Sequence, residues 1–440
     1  MCTDSRGDCA GRVFFALAGD SADGHDHIGE AVSKGAAALV VNRNRSEDAA
    51  GAAGGLPVID VPDTLKALQR LSAAWRDRVA PRVVGITGSV GKTGTKELLA
   101  SVLALKYRVH ATRGNYNNHI GVPLTLLSMD EDTEMLVVEM GASAKNEIRL
   151  LASLARPETG IITNIASGHL ESFGTIKGVA KAKAELIEGL PEGGAAVLPA
   201  DDEFFGFLKE RTRAKVVSFG FSPEAGFRPA ELSKKEGGGY SFTLSGARME
   251  TSRYGRHHVL NAASVVAAAS LYGISPEDAA PVVAAAGPAG GRGVMCDIAG
   301  ITFVDDSYNC NPASLTSAVD AFMEMPVKGR RWLVLGDMLE LGEAGPELHA
   351  EMGIYCGKAG VDGLLTLGEL TVELNRAAAE QRRAPADISH FIDTGALAAY
   401  LDSFLAAGDC VLVKGSRSMR MEKVIDEIAA LRKAEKRKVC

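Results

Sequence analysis

Three absences narrow what this chain can be. It has no run of about eighteen apolar residues and no apolar segment near its start, so neither a membrane span nor an export signal is expected. Its seven cysteines are scattered, odd in number and never in a CxxC pair. A disulfide framework or a zinc site is therefore not expected, and a reducing, cytoplasmic setting fits. Positive charge is not in excess either: the net charge is −7 and no long Lys/Arg stripe occurs, which argues against a nucleic-acid binder.

What is present is a βα rhythm. With 440 residues the chain is too long for one core. Its 46% hydrophobic and 23% charged residues are those of an ordinary globular protein. The first part alternates short β-rich runs (RVFFAL, AALVVN, LPVIDV) with helical ones and ends in the helix DTLKALQRLSAAWRDRV, before Ala80-Pro81-Arg82 breaks the pattern. A second series begins with VVGITG, MLVVEMG and TGIITNI, compact apolar runs of the kind buried strands show. Residues 211–250 read as a peripheral, Gly-rich hairpin region, and GPAGGRG at 287–293 as a linker. Five further runs (ITFVDD, RWLVLGD, GLLTLGE, ISHFID, CVLVKGS) suggest a doubly wound sheet. The expected domains are 1–81, 82–288 and 289–440.

In VVGITGSVGKTGTKELLASVLA an apolar strand runs through Thr87, Gly88, Ser89, Val90, Gly91, Lys92 and Thr93 into a helix. Glycines let backbone N–H groups approach phosphate oxygens, the helix N-terminus adds positive potential, Lys92 can reach outer phosphates, and the Thr93 hydroxyl can bind Mg²⁺. The strict P-loop spacing would need glycine where Ile86 stands, so this is a variant. Glu139 ends the next strand, at the sheet edge expected to face this loop, and is a candidate Mg²⁺ ligand. His169 follows the third strand at the same edge; a loop histidine alone is weak grounds for ligation. Lys183 has Val179 and Ala180 behind it and Leu186 and Ile187 ahead, whereas Lys181 shares a wet stripe with Lys177, Glu185 and Glu188. A buried Lys183 would be neutral or paired, and a neutral amine can add CO₂ to become a carbamate. A packed stem with the ammonium in water is the alternative, and helical spacing leaves both open.

Together these stretches resemble the Mur ligase family, whose central domain carries a TGxxGKT loop, a strand-end glutamate, a TNI…H loop and a carbamylated lysine in an AK-x-E context. Here stand TGSVGKT, Glu139, Thr163-Asn164-Ile165 with His169, and Ala182-Lys183-Ala184-Glu185. The NYNNHIGVP stretch also looks like a family loop and adds Asn118 to the nucleotide-binding candidates. TDSR, VFFAL and DGHDHI are similar to the family's UDP-sugar-binding domain, which makes Ser5, Arg6 and Phe14 substrate-binding candidates. DDSYNCNPAS, GDMLELGE and LVKGSRSMRME look like the branch that joins D-alanyl-D-alanine to UDP-N-acetylmuramoyl-tripeptide. Two departures stand out: His258 replaces the asparagine of the GxHNVxN segment, and Cys310 replaces an alanine, adding a thiol near the nucleotide.

The resemblance implies an α/β fold of three domains, with a central P-loop ATPase-like parallel sheet and a C-terminal Rossmann-like sheet. It implies an ATP-dependent ligase using two Mg²⁺ ions held by Thr93, Glu139, His169 and carbamylated Lys183. The terminal carboxylate of the tripeptide would be phosphorylated to an acyl phosphate and then attacked by the D-alanyl-D-alanine amine. Lys92 and Arg292 would neutralise charge, and Asn261, Asp306 and Asn309 would lie near adenine and ribose. Lys414 and Arg417 are expected at a substrate carboxylate or phosphate, the bland alternative being surface cations at a strand end. A monomer without nucleic-acid or membrane partners is expected. The rival readings are a sister Mur or folylpolyglutamate-type ligase and a non-catalytic P-loop switch.

Overall fold

The computed structural model describes residues 1–19, 22–236, 238–287 and 291–438. The boundary expected between 288 and 289 lies outside the described residues. Among those described, no helix is long and apolar enough to cross a membrane.

Strands β1 (Val13–Phe15), β2 (Ala38–Asn42) and β3 (Val58–Val61) form a small parallel sheet in that order. The helix Thr64–Val79 follows, started by the Asp63 side chain, which accepts from Lys66 N, and ended by Ala80 in the left-handed region (φ 53°). Its Thr64 hydroxyl donates to Ala16 O (2.8 Å), while its Trp75 indole donates to Met129 O (3.1 Å). One end is thus tied to the small sheet and the other to the domain that comes next.

That domain holds β4 (Arg82–Thr87), β5 (Val109–Ala111), β6 (Met135–Glu139), β7 (Thr159–Ile162), β8 (Ala195–Pro199) and β9 (Lys215–Phe219), all parallel, in the order β5-β6-β4-β7-β8-β9. The strands read as unbroken apolar runs because both faces are covered. Val83, Leu136, Val138 and Ile162 pack on one face with Val179, Leu186 and Ile187 of the helix Ile176–Glu188. Val84, Ile86, Val137 and Ile161 pack on the other with Leu99, Val265 and Val266 from the helices Lys92–Leu103 and Arg256–Ser270. Truncating the fully buried Leu136 to alanine would cost about 2–5 kcal/mol. At β4 the neighbours diverge, β6 to one side and β7 to the other, which opens a crevice at the carboxyl ends of these three strands.

The expected peripheral hairpin region is only partly so. Residues 215–219 are the edge strand β9 of the central sheet, while β10 (Ala230–Lys234), β11 (Tyr240–Leu244) and β12 (Ala247–Thr251) form a separate antiparallel meander. β9 is a short, half-exposed run, KVVSF, whose pairing partner β8 lies across a helix, so its own pattern does not tie it to the central sheet. The last sheet has the order β13-β14-β18-β15-β16-β17, from β13 (Val294–Ile298), β14 (Ile301–Asp306), β15 (Arg331–Gly336), β16 (Gly363–Leu367), β17 (Asp387–Phe391) and β18 (Cys410–Lys414). Five of these are the expected parallel runs. The added β13 pairs antiparallel with β14 at the sheet edge.

Candidate functional site

The loop after β4 is shaped by its glycines and by the end of β7. Gly88 has φ 146°, and a Cβ there would lie 1.9 Å from Thr163 Oγ1; at Gly91 (φ 86°) it would lie 2.8 Å from Asn261 Oδ1. Only glycine lets the loop pass this close to both neighbours. Asn164 closes the loop from the other side, its Oδ1 accepting from Val90 N (3.0 Å) and its Nδ2 donating to Val90 O (2.9 Å). Thr163 Oγ1 donates to Val90 O (2.6 Å), and Thr87 Oγ1 donates to Met140 O (2.8 Å). Lys92 folds back over the loop, donating to Gly88 O (2.8 Å). Ser89 is held through its hydroxyl, which donates to Ala166 O (2.9 Å). The helix Lys92–Leu103 thus opens beside a fixed backbone ring with its first N–H groups unpaired by helix geometry, a cradle for anionic oxygens.

Glu139, at the tip of β6, is 1% exposed. Its Oε1 accepts from Asn117 Nδ2 (2.8 Å), and its Oε2 is buried without a hydrogen-bond partner. Such an orphan costs about 1–3 kcal/mol, and a bound cation would relieve it. Thr93 is buried in the first helical turn nearby. Lys183 is 2% exposed, so burial rather than snorkelling is what its spacing meant. Burial, with Lys92 beside it, brings its pKa down to about 7. His169, in the left-handed region (φ 53°), sets Nδ1 2.7 Å from Glu340 Oε2 of the C-terminal domain. Burial lowers its pKa, opposed by Glu340 and aided by Lys183 and Lys92. Desolvation also lowers Lys92, with Glu139 opposing and Arg292 assisting. These mutual influences place Lys92, Glu139, His169, Lys183 and Arg292 in one electrostatic neighbourhood.

The donor set suits a hard cation only in part as it stands. Among the described residues no three His, Cys, Asp or Glu side chains converge on one point. Glu139 and His169 supply two groups of those types, so Thr93 and an anionic derivative of Lys183 would have to complete the shell. The unpaired Glu139 oxygen is the observation that fits a metal.

Across the crevice, Asp306 ends β14 and Lys414 ends β18, paired in register. Lys414 Nζ lies 2.5 Å from Asp306 Oδ2 and donates to Asn309 O (2.9 Å). Burial alone would lower Lys414, but Asp306 and Cys310 more than offset it and leave the pKa raised. Lys414 is therefore a buried partner of Asp306 rather than a surface cation. Arg292 lays its guanidinium 3.8 Å from the Tyr308 ring centroid, and its carbonyl accepts from Arg253 NH2 (2.9 Å). His258 lies against His257 with ring centroids 3.9 Å apart, and burial keeps both well below the ordinary imidazole range, His257 at about 4.

Several sequence-derived candidates stand elsewhere. Phe14, expected at the substrate, is 1% exposed inside the core of the first sheet, packed with Cys2, Cys9, Ile28 and Leu39. Ser5 Oγ donates to Glu30 Oε2 (2.6 Å), and Arg6 is exposed and paired with Asp4. Arg417 is exposed and paired with Glu422. Asn118 uses Oδ1 to accept from Ile120 N (3.1 Å) and Gly121 N (2.8 Å), capping the helix Gly121–Leu127; its neighbour Asn117 is the residue that reaches Glu139. Cys310 is buried in the C-terminal core, its pKa raised by burial to about 11. Glu185, read as part of a wet stripe, is 6% exposed: its carboxylate accepts from Asn146 N (2.8 Å) and Arg149 N (3.0 Å), closing the start of the helix Glu147–Ala155. Asn117, Asn164, Glu185 and Glu340 all lie inside quoted motifs, but none was expected in the role it plays here.

Three family models match in succession: "Mur ligase family, catalytic domain" over residues 1–76, "Mur ligase middle domain" over 86–269, and "Mur ligase, glutamate ligase domain" over 291–417. The chain is 35% identical to the UDP-N-acetylmuramoyl-tripeptide–D-alanyl-D-alanine ligase of Bacillus subtilis, covering 97% of this chain and 92% of that one. It is also similar to a MurF crystal structure from Acinetobacter baumannii (TM-score 0.87, 28% identity, 98% and 93% of the two chains). A third relative is MurF ligase from Thermotoga maritima in complex with ADP (TM-score 0.85, 27% identity, 99% and 98%). With sequence, domain order and strand-tip geometry in agreement, the chain belongs to the Mur ligase family.

Proposed function

We propose that this protein joins D-alanyl-D-alanine to UDP-N-acetylmuramoyl-tripeptide, an ATP-dependent carbon–nitrogen ligation (acid to D-amino acid) that completes the cytoplasmic peptidoglycan precursor. The observation that carries the reading is the gathering of Lys92, the orphaned Glu139 oxygen, His169 and buried Lys183 at one sheet edge, in a chain that matches a ligase of this name almost end to end. The tripeptide carboxylate attacks the γ-phosphorus to give an acyl phosphate and ADP. The dipeptide amine then attacks the acyl carbon, and phosphate leaves.

The chain's own residues have separable tasks in this reading. Backbone N–H groups of Gly88 to Thr93 hold phosphate oxygens, and Lys92 swings from its carbonyl partners to the outer phosphates. Arg292, fixed over Tyr308, adds a second cation where anionic carboxylate meets anionic triphosphate. Asn261, at the P-loop, and Asp306 and Asn309, across the crevice, form the nucleoside side. Glu139, Thr93, His169 and a carbamate on Lys183 would hold two Mg²⁺ ions; when bound, these supply charge neutralisation for the phosphates. A buried amine with Lys92 beside it has reason to carry CO₂, since the carbamate would exchange an unfavourable buried cation for an anion with metal partners. Ser5 and Arg6 are placed on the uridine side, with Arg417 at the rim for a substrate anion. The three-domain division at 81/82 and 288/289 separates the UDP, ATP and dipeptide sides. In this reading the protein works as a cytoplasmic monomer; the described cysteines, five buried and Cys296 exposed, are free thiols, as a reducing setting allows.

The deciding experiment measures ADP release with both substrates and with each omitted. Release that needs both supports the reading; turnover with a different amine would identify a sister ligase, and ATP binding without turnover a switch.

A further inference from the structure

We propose that Glu340 of the C-terminal domain is a positioning residue for His169 of the central domain, so that the cation site is fully ordered only when the two domains touch. This rests on the ligase reading above, in which His169 faces a metal. The Glu340 carboxylate is acceptor-only when ionised, so the 2.7 Å contact places the proton on His169 Nδ1 and leaves the Nε2 lone pair for a cation.

An exposed ion pair is ordinarily incidental, but the backbone around this one is not. Glu340 and His169 both occupy the left-handed region, φ 63° and 53°. Strain at two non-glycine residues persists only where the surroundings impose it. Glu340 O accepts from Glu171 N (3.3 Å), and Gly342 lies so close that a Cβ would be 3.0 Å from Glu171 Cα. The loop carrying Glu340 is braced from its own domain. Met338 N donates to His349 Nε2 (3.0 Å), and Leu339 N donates to Ser416 Oγ (2.8 Å). Asp337 accepts from Glu369 N, Leu370 N and Thr371 N (2.9–3.1 Å). The result is a stiff spur from one domain that sets the ring of a histidine in another.

The test uses Mn²⁺ as the probe, with the full chain and a non-hydrolysable ATP analogue. Electron paramagnetic resonance reads Mn²⁺ affinity, and its pulsed form reads coupling to an imidazole nitrogen. Glu340→Ala is expected to weaken Mn²⁺ binding about tenfold or more and to lose the nitrogen coupling. Glu340→Gln, whose amide oxygen still accepts from Nδ1–H, is expected to restore part of both. The side chain is 60% exposed, so neither variant opens a cavity, and unchanged thermal midpoints check this. Wild-type Mn²⁺ affinity and coupling in Glu340→Ala overturn the proposal, as does equal loss in both variants. Normal metal behaviour in a wild type that makes no dipeptide-dependent ADP would instead strike the ligase reading and leave the Glu340–His169 pairing in place.

Discussion

Asp306 and Lys414 face each other at matched register on adjacent parallel strands, their charged atoms 2.5 Å apart and the lysine 3% exposed. Removing one partner strands the other in a poorly solvated place. Lys414→Ala is expected to destabilise the C-terminal domain by about 3 kcal/mol, and Lys414→Met by less, because it also removes the buried charge. Denaturant unfolding followed at Trp332, in the same sheet, reads the difference.

Glu139→Gln keeps an oxygen for Asn117 Nδ2 while removing the charge that a cation would meet. Unchanged or slightly raised thermal stability is expected, with ADP formation reduced by about 10²-fold or more. Chelation of divalent cations should abolish what remains in the wild type. A variant as active as the wild type would remove Glu139 from the metal shell.

Lys183 carries an amine at 2% exposure. Lys183→Met should raise the thermal midpoint, by an amount corresponding to about 1–3 kcal/mol, and eliminate turnover. Wild-type protein equilibrated with ¹³C-bicarbonate should show a carbamate carbon resonance that the variant lacks. Loss of both stability and activity would make the lysine structural.

His349 is fully buried and works as a neutral ring, Nε2 accepting from Met338 N and Nδ1 donating to Gly345 O (2.7 Å). Burial lowers its pKa below the 6.5 of an exposed imidazole. Because the unfolded chain then binds the proton first, this contribution is complete above 6.5 and is lost as pH falls through the folded-state value. The stability of the C-terminal domain should therefore fall on acidification below 6.5, with a slope from this group of at most about 1.4 kcal/mol per pH unit. His349→Gln should flatten that slope; an unaltered slope would assign it to other groups.

Much of this architecture was legible because the central strands are buried on both faces and so write themselves as apolar runs. Lys92, Glu139, His169 and Lys183 were legible for a related reason: each follows a strand or interrupts an apolar helix face, where a polar residue needs a cause. Legibility ended where geometry depends on one position in a polar cluster. NYNNH offers three asparagines, and only tertiary packing makes Asn118 a helix cap and Asn117 the Glu139 partner. Glu185 has the helical phase of a solvent-facing charge, yet the start of another helix covers it, which no periodicity within its own helix records. Glu340 meets His169 from 171 positions further along the chain, in a GDMLELGE stretch whose family resemblance carries no statement of which residue it will touch.

The helix Thr64–Val79 bears on how the molecule can move. Leu68 is wedged with Phe15 and Val40 of the small sheet, against Ile120 and Leu124 of the central domain. Gln69, Trp75 and Asp77 are fastened further along to His119, Met129 and Arg156. A rod anchored so along its length is expected to hold the first two domains together. A molecule of four sheets in three domains is then expected to behave as two bodies, the C-terminal domain moving against a joined remainder.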